Sequence, residues 1–221
     1  MSEFNIKVEN VVAFTSLGKD IALTTLVSKI EDVEYEPEQF PGVVYRIQSP
    51  RAAALIFSSG KIVCTGARSI EMAKEAMHKV VDRIRATGVD LPTEFGIKVE
   101  NIVASSKIDT NLNLEEIAFA LENAEYEPEQ FPGLVYRIRE PRVAFLLFSS
   151  GKIICTGAHT ISDVQLALKK LKEKLKEIGV EEDGTGGTTA KKKPAPKKPA
   201  EKQDTRSAKE KLDAGEEIEI E

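Results

Sequence analysis

The 221 residues, 41% of them hydrophobic, are enough to form one larger or two smaller globular domains. No apolar run approaches the length of a membrane span, and the N-terminus lacks the apolar segment of a signal peptide, so neither a membrane protein nor a secreted one is predicted. Residues 1–180 carry 22 Lys and Arg against 25 Asp and Glu, a mildly acidic balance that argues against nonspecific binding of nucleic acid.

The first elements predicted along the chain are a strand and a helix. Phe4–Ala13 alternates in polarity and is rich in Val and Ile, which is typical of a strand. In Lys19–Ile30 the apolar residues recur at helical spacing, which predicts a helix. Pro37 and the Phe-Pro-Gly sequence at 40–42 then break the chain into a loop.

Three strands and a long helix complete the first half of the chain. The strands are predicted at Val43–Gln48, Ala52–Phe57 and Lys61–Gly66, and the Ser-Ser-Gly sequence at 58–60 forms a tight hairpin between the last two. The helix has Ser69 as its N-cap and ends at Gly88. A strand, a helix, several antiparallel strands and a second helix predict an α+β fold with helices on one face of a sheet.

This unit occurs twice, with a spacing of 91 residues. Glu34–Ala67 returns as Glu125–Ala158 with only seven of 34 positions changed, and the second long helix begins at Thr160 with Asp163 three residues later. Two copies predict a closed molecule with pseudo-two-fold symmetry, built from a first repeat at residues 1–90 and a second at 91–180.

Residues 181–221 differ in character from both repeats. They contain almost no large apolar residues and run from a Lys/Pro block to an acidic end. This composition predicts a disordered charged tail. The alternative is an arm that contacts DNA or a protein partner.

Cysteines and histidines give no sign of a metal or cofactor site. Cys64 and Cys155 occupy the same place in each repeat, which indicates a core position in a protein of a reducing compartment rather than a disulfide. His78 and His159 lie at unrelated positions and form no ligand cluster. No cofactor is therefore predicted.

The predicted sheet has apolar residues on both faces. Alternation places Leu55 and Phe57 on one face and Ala54 and Ile56 on the other. Each repeat has only enough helix to cover one face, so a broad apolar surface stays open, and such surfaces mark interaction sites. The alternative is that two sheets pack face to face as a sandwich.

The open face is also predicted to carry small polar residues and phenylalanines at matched positions in the two repeats. The polar residues are Asn10 with Asn101 and Thr65 with Thr156. The phenylalanines form pairs 17 residues apart, Phe40 with Phe57 and Phe131 with Phe148. These residues favour a binding surface, although the two loop phenylalanines are equally consistent with plugs that fold back on the core.

At these residues the sequence closely resembles the archaeal form of the TATA-binding protein family. The resemblance runs in register from about Phe4 to Gly179 and includes EPEQFPG, YRI, FSSGK and CTGA in both repeats. It implies a ten-stranded antiparallel saddle with four helices on its convex face. It also implies a general transcription initiation factor without enzymatic activity, from a family that is itself a standard example of a protein that kinks DNA through the minor groove.

The resemblance further implies a role for each matched residue. The two phenylalanine pairs would insert between base steps. Base contacts would come from Asn10, Asn101, Thr65, Thr156, Val12, Val103, Leu55, Leu146, Val63 and Ile154. Phosphate contacts would come from Arg46, Arg137, Lys61 and Lys152, for which the alternative is ordinary solvated charge.

The partners implied are double-stranded promoter DNA, transcription factor B and, indirectly, RNA polymerase, with no membrane and no small-molecule substrate. Transcription factor B would dock on the second loop, at Glu127, Glu129 and Gln130. The protein itself would be located in the cytoplasm of an archaeal cell, in association with the nucleoid. Two other classes are weighed against this interpretation: an enzyme subunit that uses the fold to bind substrate, and an adaptor that binds only protein.

The duplication also predicts that the two ends of the molecule contact DNA almost identically. The chief difference expected on the DNA face is Val63 against Ile154, with loop-side changes such as Gln48-Ser49 against Arg139-Glu140. The protein alone would then have little preference for its direction on a promoter, and transcription factor B would supply it.

Overall fold

The computed structural model describes residues 5–180, which contain two repeats of five strands and two helices. The first repeat comprises β1 (Lys7–Ser16), α1 (Leu23–Lys29), β2 (Val33–Glu34), β3 (Gly42–Ile47), β4 (Ala52–Phe57), β5 (Lys61–Ala67) and α2 (Ile70–Arg85). The second comprises β6 (Lys98–Lys107), α3 (Leu114–Ala120), β7 (Ala124–Glu125), β8 (Leu134–Ile138), β9 (Val143–Leu147), β10 (Lys152–Ala158) and α4 (Ile161–Glu177). The predicted tail at 181–221 and the predicted strand start at Phe4 lie outside the described residues.

The ten strands described form a single antiparallel sheet in the order β2-β3-β4-β5-β1-β6-β10-β9-β8-β7. The second half of this order mirrors the first. The mirror line lies between β1 and β6, where Val11 pairs with Ile102 and Val12 with Asn101. The two repeats therefore share one continuous sheet, which excludes the alternative of two sheets packed face to face.

The helices begin where their capping residues predict. Ser69 accepts a hydrogen bond from the Met72 backbone N–H at 3.1 Å, and Thr160 and Asp163 form a reciprocal capping box at the start of α4. One face of α2 is fully buried: Ala73, Ala76, Met77, Val80, Val81 and Ile84. This face packs against β5, β1 and β4, so it covers one side of the sheet.

Strand residues alternate between the covered side and an open side. Ala54 and Ile56 on β4 are fully buried beneath the helices, whereas the alternate residues Leu55 and Phe57 are only half-buried. The same alternation holds in the second repeat, where Phe145 and Leu147 are buried on the covered side. The open apolar face predicted from the sequence is thus present.

Some elements differ from the sequence prediction in their bounds, and two short strands were not predicted. Strand β1 continues past Ala13 to Ser16, which adds Phe14 to the open face. Helix α1 begins at Leu23 rather than Lys19. Strands β2 and β7 have two residues each, too few to produce an alternating pattern.

No helix between residues 5 and 180 is long and apolar enough to cross a membrane.

Candidate nucleic-acid interface

The structure brings the ten predicted base-contacting residues together on the open face. Val12 and Val103 lie on the two central strands, where each pairs across the mirror line with an asparagine of the other repeat. The remaining apolar residues form directly paired neighbours on either side, Leu55 with Val63 and Leu146 with Ile154. All six apolar side chains are half-buried, so they form a floor accessible to a ligand.

An asparagine and a threonine are held together beside the central strands of the first repeat. The Asn10 Oδ1 atom accepts a hydrogen bond from the Gly66 backbone N–H at 2.7 Å, and its Nδ2 lies 3.2 Å from the Thr65 Oγ1. Because a backbone N–H can only donate, this contact fixes which amide atom is the oxygen. The pair sits where the β1–β5 register shifts, and this bulge exposes the Gly66 N–H.

The second repeat builds the same group with the same geometry. Asn101 Oδ1 accepts from the Gly157 N–H at 2.7 Å, and its Nδ2 donates to Thr156 Oγ1 at 3.3 Å. In each group one amide hydrogen stays available, whereas the threonine hydroxyl lies 3.4 Å from the asparagine Oδ1 and donates to it. The centre of the open face therefore presents hydrogen-bond donors set in an apolar floor.

The two phenylalanine pairs lie at corresponding ends of the open face. The ring centroids of Phe40 and Phe57 are 5.7 Å apart with an interplanar angle of 62°, and those of Phe131 and Phe148 are 6.0 Å apart at 66°. None of the four rings belongs to the hydrophobic core or to the side chains packed against it. The alternative that the loop phenylalanines plug the core is therefore wrong.

A glycine lies beneath each phenylalanine pair. A Cβ atom on Gly133 would lie 2.7 Å from the Phe131 ring and 3.2 Å from the Phe148 ring. A Cβ atom on Gly42 would meet the first pair in the same way, at 2.9 and 3.2 Å. Each pair can occupy its place only because the residue below it has no side chain.

The four predicted phosphate contacts fall into two kinds. Arg46 donates to Glu34 through Nε at 3.1 Å and Nη2 at 3.2 Å, and Arg137 donates to Glu125 at 2.9 Å. The Arg46 guanidinium holds the pKa of the Glu34 carboxyl below its usual range. Lys61 and Lys152 are exposed and make no ion pair with any residue between 5 and 180.

One difference between the repeats on the open face was missed from the sequence. Phe14 is half-buried next to Val63, whereas the equivalent position in the second repeat is Ser105. Ser105 donates a hydrogen bond to Glu9 at 2.7 Å, and this bond, with Lys7 nearby, lowers the pKa of the Glu9 carboxyl. The signal was lost because the predicted strand ended at Ala13, three residues before the end of β1 at Ser16.

The two loops that precede the phenylalanine pairs have the same backbone geometry. Glu127 O accepts from the N–H groups of Gln130 and Phe131 at 3.0 and 2.9 Å, and the first loop repeats both bonds. The side chains of Glu127, Glu129 and Gln130 are exposed. What distinguishes the second loop is the helix before it, where Phe119 is 90% exposed and Ser28 is its counterpart in α1.

The part of the chain that the structure describes contains no group of His, Cys, Asp or Glu side chains suited to a metal ion. Both cysteines are buried on the covered side of the sheet. Burial raises the pKa of the Cys64 thiol to about 11 and that of Cys155 to about 12. Both are inert core residues, as their repeated placement predicts.

Comparisons with known proteins agree with this arrangement. The family model described as transcription factor TFIID (or TATA-binding protein, TBP) matches twice, at residues 5–87 and 96–178. The TATA-box-binding proteins of Methanobrevibacter smithii and Methanothermobacter thermautotrophicus are 52% and 53% identical over 178 residues, which cover 80% of this chain and 98% of each relative. A solved structure described as Methanococcus jannaschii TBP superposes with a TM-score of 0.73 at 46% identity, over 78% of this chain and 99% of that one.

Proposed function

The chain belongs to the TATA-binding protein family, and from this membership we propose that it is a general transcription factor whose open sheet face binds the minor groove of AT-rich TATA-box DNA. The observation that carries the proposal is the apolar face of the sheet, which has hydrogen-bond donors at its centre and a phenylalanine pair at each end.

Selectivity for A·T pairs follows from the chemistry of that face. The minor-groove edge of an A·T pair offers only acceptors, and the Asn10 and Asn101 amides each have a hydrogen to donate. A G·C pair adds an amino donor to the groove. Against a floor of Val, Leu and Ile, that donor would lose its water and gain no acceptor, which costs about 1–3 kcal/mol.

DNA bending is proposed to come from the phenylalanine pairs, one in each of the proposed repeats at residues 1–90 and 91–180. Within each pair the two rings pack against each other, and none of the four contacts the hydrophobic core. Phe131 is 38% exposed in the free protein. Apolar side chains of this kind kink a duplex by entering a base step from the minor groove. Two such wedges at opposite ends would bend the box between them.

Phosphate contacts are proposed at Arg46, Arg137, Lys61 and Lys152. The ion pairs of the two arginines with Glu34 and Glu125 are solvent-exposed, and exposed pairs contribute little because water and salt screen them. A DNA phosphate can therefore replace the carboxylate at little cost.

Recruitment of transcription factor B, and through it of RNA polymerase, is proposed at the second loop. Glu127, Glu129 and Gln130 present an exposed acidic surface there. Phe119, on the helix just before this loop, supplies an exposed aromatic ring of the type enriched at protein interfaces, which the first repeat lacks.

The test is a gel mobility-shift assay with a TATA-like duplex, a duplex scrambled so that G·C pairs fall within the box, and a TATA duplex in which inosine·cytosine replaces adenine·thymine. Inosine lacks the guanine amino group, so the third duplex keeps the minor-groove pattern of A·T while its major-groove pattern changes. We expect the first and third to bind alike and the scrambled duplex to bind much more weakly. Equal binding of the scrambled duplex would contradict the proposal and favour an enzyme subunit or a protein adaptor.

A further inference from the structure

A recess of about 730 Å³ opens in the second repeat next to the Asn101–Thr156 pair. Three arginines line it, Arg137, Arg139 and Arg142, together with one carboxylate, Glu125. The carboxylate is bonded to Arg137, while Arg139 and Arg142 are exposed and have no ion-pair partner within residues 5–180. The lining therefore carries a net charge of +2, and two of its guanidinium groups are free to bind an anion.

The equivalent positions of the first repeat carry no net charge. Two arginines, Arg46 and Arg51, are balanced there by Glu34 and Asp32. The difference arises at two positions, where Asp32 replaces the lining residue Asn123 and Gln48 replaces Arg139.

The first of these exchanges alters charge and leaves the backbone unchanged. Asp32 has φ of 62° and Asn123 has φ of 63°, a left-handed conformation that both residue types adopt readily. Glu140, which replaces Ser49, adds a carboxylate to the same turn of the second repeat, but it does not line the recess. The two repeats thus share a backbone and differ in the charge they present beside the open face.

We propose that Arg139 gives this recess one contact with a DNA backbone phosphate that the first repeat lacks, in addition to the contact already proposed at Arg137. The inference rests on the proposed function, because it requires that the open face lies on DNA. An arginine fork suits a phosphate, since it donates two parallel hydrogen bonds to two oxygens. The end of the protein formed by the second repeat then presents more positive charge to DNA than the end formed by the first, contrary to the near-equivalence of the two ends expected from the sequence.

The first measurement is the salt dependence of binding to a TATA duplex. Each phosphate contact contributes about −0.9 to the slope of log K against log salt concentration. Arg139→Gln, which copies the first repeat, should make the slope shallower by about 0.9, and Gln48→Arg should make it steeper by about the same amount. Arg83→Gln on α2, on the covered side of the sheet, removes one charge away from the DNA and should leave the slope unchanged.

The second measurement determines which end of the protein binds preferentially to charged DNA phosphates. The duplex has a palindromic AT box in which neutral methylphosphonates replace the phosphates of one half, so only charge distinguishes its halves. A DNA-cleaving chelate is attached at Glu129→Cys, or at Glu38→Cys as the matched position of the first repeat. The native thiols are buried and do not compete for the reagent.

We expect cleavage from position 129 to favour the charged half by about eightfold at 0.1 M salt, since one contact with a slope near 0.9 changes the affinity by that factor between 0.1 and 1 M. Cleavage from position 38 should favour the neutral half. Arg139→Gln and Gln48→Arg should each bring the ratio close to one. The inference is overturned if the protein with Arg139 in place cleaves both halves equally, or if Arg139→Gln leaves the ratio of cleavage between the halves unchanged.

Failure of the inference can be told apart from failure of the proposed function. If the protein discriminates TATA from scrambled DNA and Arg139→Gln keeps both slope and ratio, only the phosphate site is wrong. If it does not discriminate between the duplexes, the proposed function is wrong and the inference falls with it.

Discussion

Replacing Phe148 by alanine separates the roles of the two faces of the second repeat. The ring is half-buried and its principal partner is Phe131, in an edge-to-face contact worth about 0.5–1.5 kcal/mol. We therefore expect the free energy of unfolding to fall by about 1–2 kcal/mol, since removing a half-buried ring costs less than the ~3–5 kcal/mol of a fully buried phenylalanine. For a chain of this size, this corresponds to a Tm lower by roughly 2–8 °C.

The matched control is Phe145→Ala, because Phe145 lies on β9, three residues before Phe148, with its ring on the covered side. Phe145 is fully buried and stacks on Tyr136, with centroids 6.4 Å apart and planes at 15°. Its removal should cost about 3–5 kcal/mol. DNA affinity of whatever fraction stays folded should be unchanged, because no atom of this ring reaches the open face.

Phe148→Ala should instead weaken DNA binding and reduce bending. Loss of one wedge ring should lower affinity about 10- to 100-fold, corresponding to about 1.4–2.8 kcal/mol. Energy transfer between dyes at the two ends of a TATA duplex should report a smaller bend at saturating protein. If Phe148→Ala melts as low as Phe145→Ala, or bends DNA as strongly as the unsubstituted protein, the wedge role is refuted.

Three further predictions follow from contacts on the same sheet. Gly133→Ala should displace both rings of the second pair and reduce the measured bend, as Gly42→Ala should at the other end; an unchanged bend in both would show that the rings are not wedges. Asn101→Ala removes a donor and leaves the Gly157 N–H unbonded, so affinity for TATA DNA should fall about 5- to 100-fold with a Tm loss of a few degrees, measured by mobility shift and calorimetry; loss of stability alone would make Asn101 a structural residue. Because burial raises the pKa of Cys64 to about 11 and that of Cys155 to about 12, the unfolded chain loses these protons first, and stability should fall as pH rises from about 9 to 12; the double Cys→Ala variant should show a shallower decline, and an identical decline would contradict the shifts.

Most of the fold was accessible from the sequence because its main signals are local. Alternation within β4 is enough to separate Leu55 from Ile56, and capping residues such as Ser69 and Thr160 act on backbone groups two or three residues away. The duplication then fixes where each element recurs. These patterns depend on spacing within one element, so they can be recognised without knowledge of the tertiary structure.

The details of the site depend on contacts between distant parts of the chain, and these could not be predicted. The bond between Asn10 and the Gly66 N–H spans 56 residues and exists only because the sheet has a bulge there. The pairing of Arg46 with Glu34 requires β2, a strand too short to produce a pattern. The charge difference between Gln48 and Arg139 was visible in the sequence, but the net charge of the recess depends on which other residues line it.

The pairing of β1 with β6 determines how the binding face depends on protein concentration. In a homodimer with the same sheet, these central strands would belong to two chains, and the binding face would fall apart at low concentration. Here both strands belong to one chain, and the connection between α2 and β6, residues 86–97, holds the two repeats at an effective concentration of about millimolar. The complete DNA-binding face therefore persists on dilution, down to a single molecule at a single promoter.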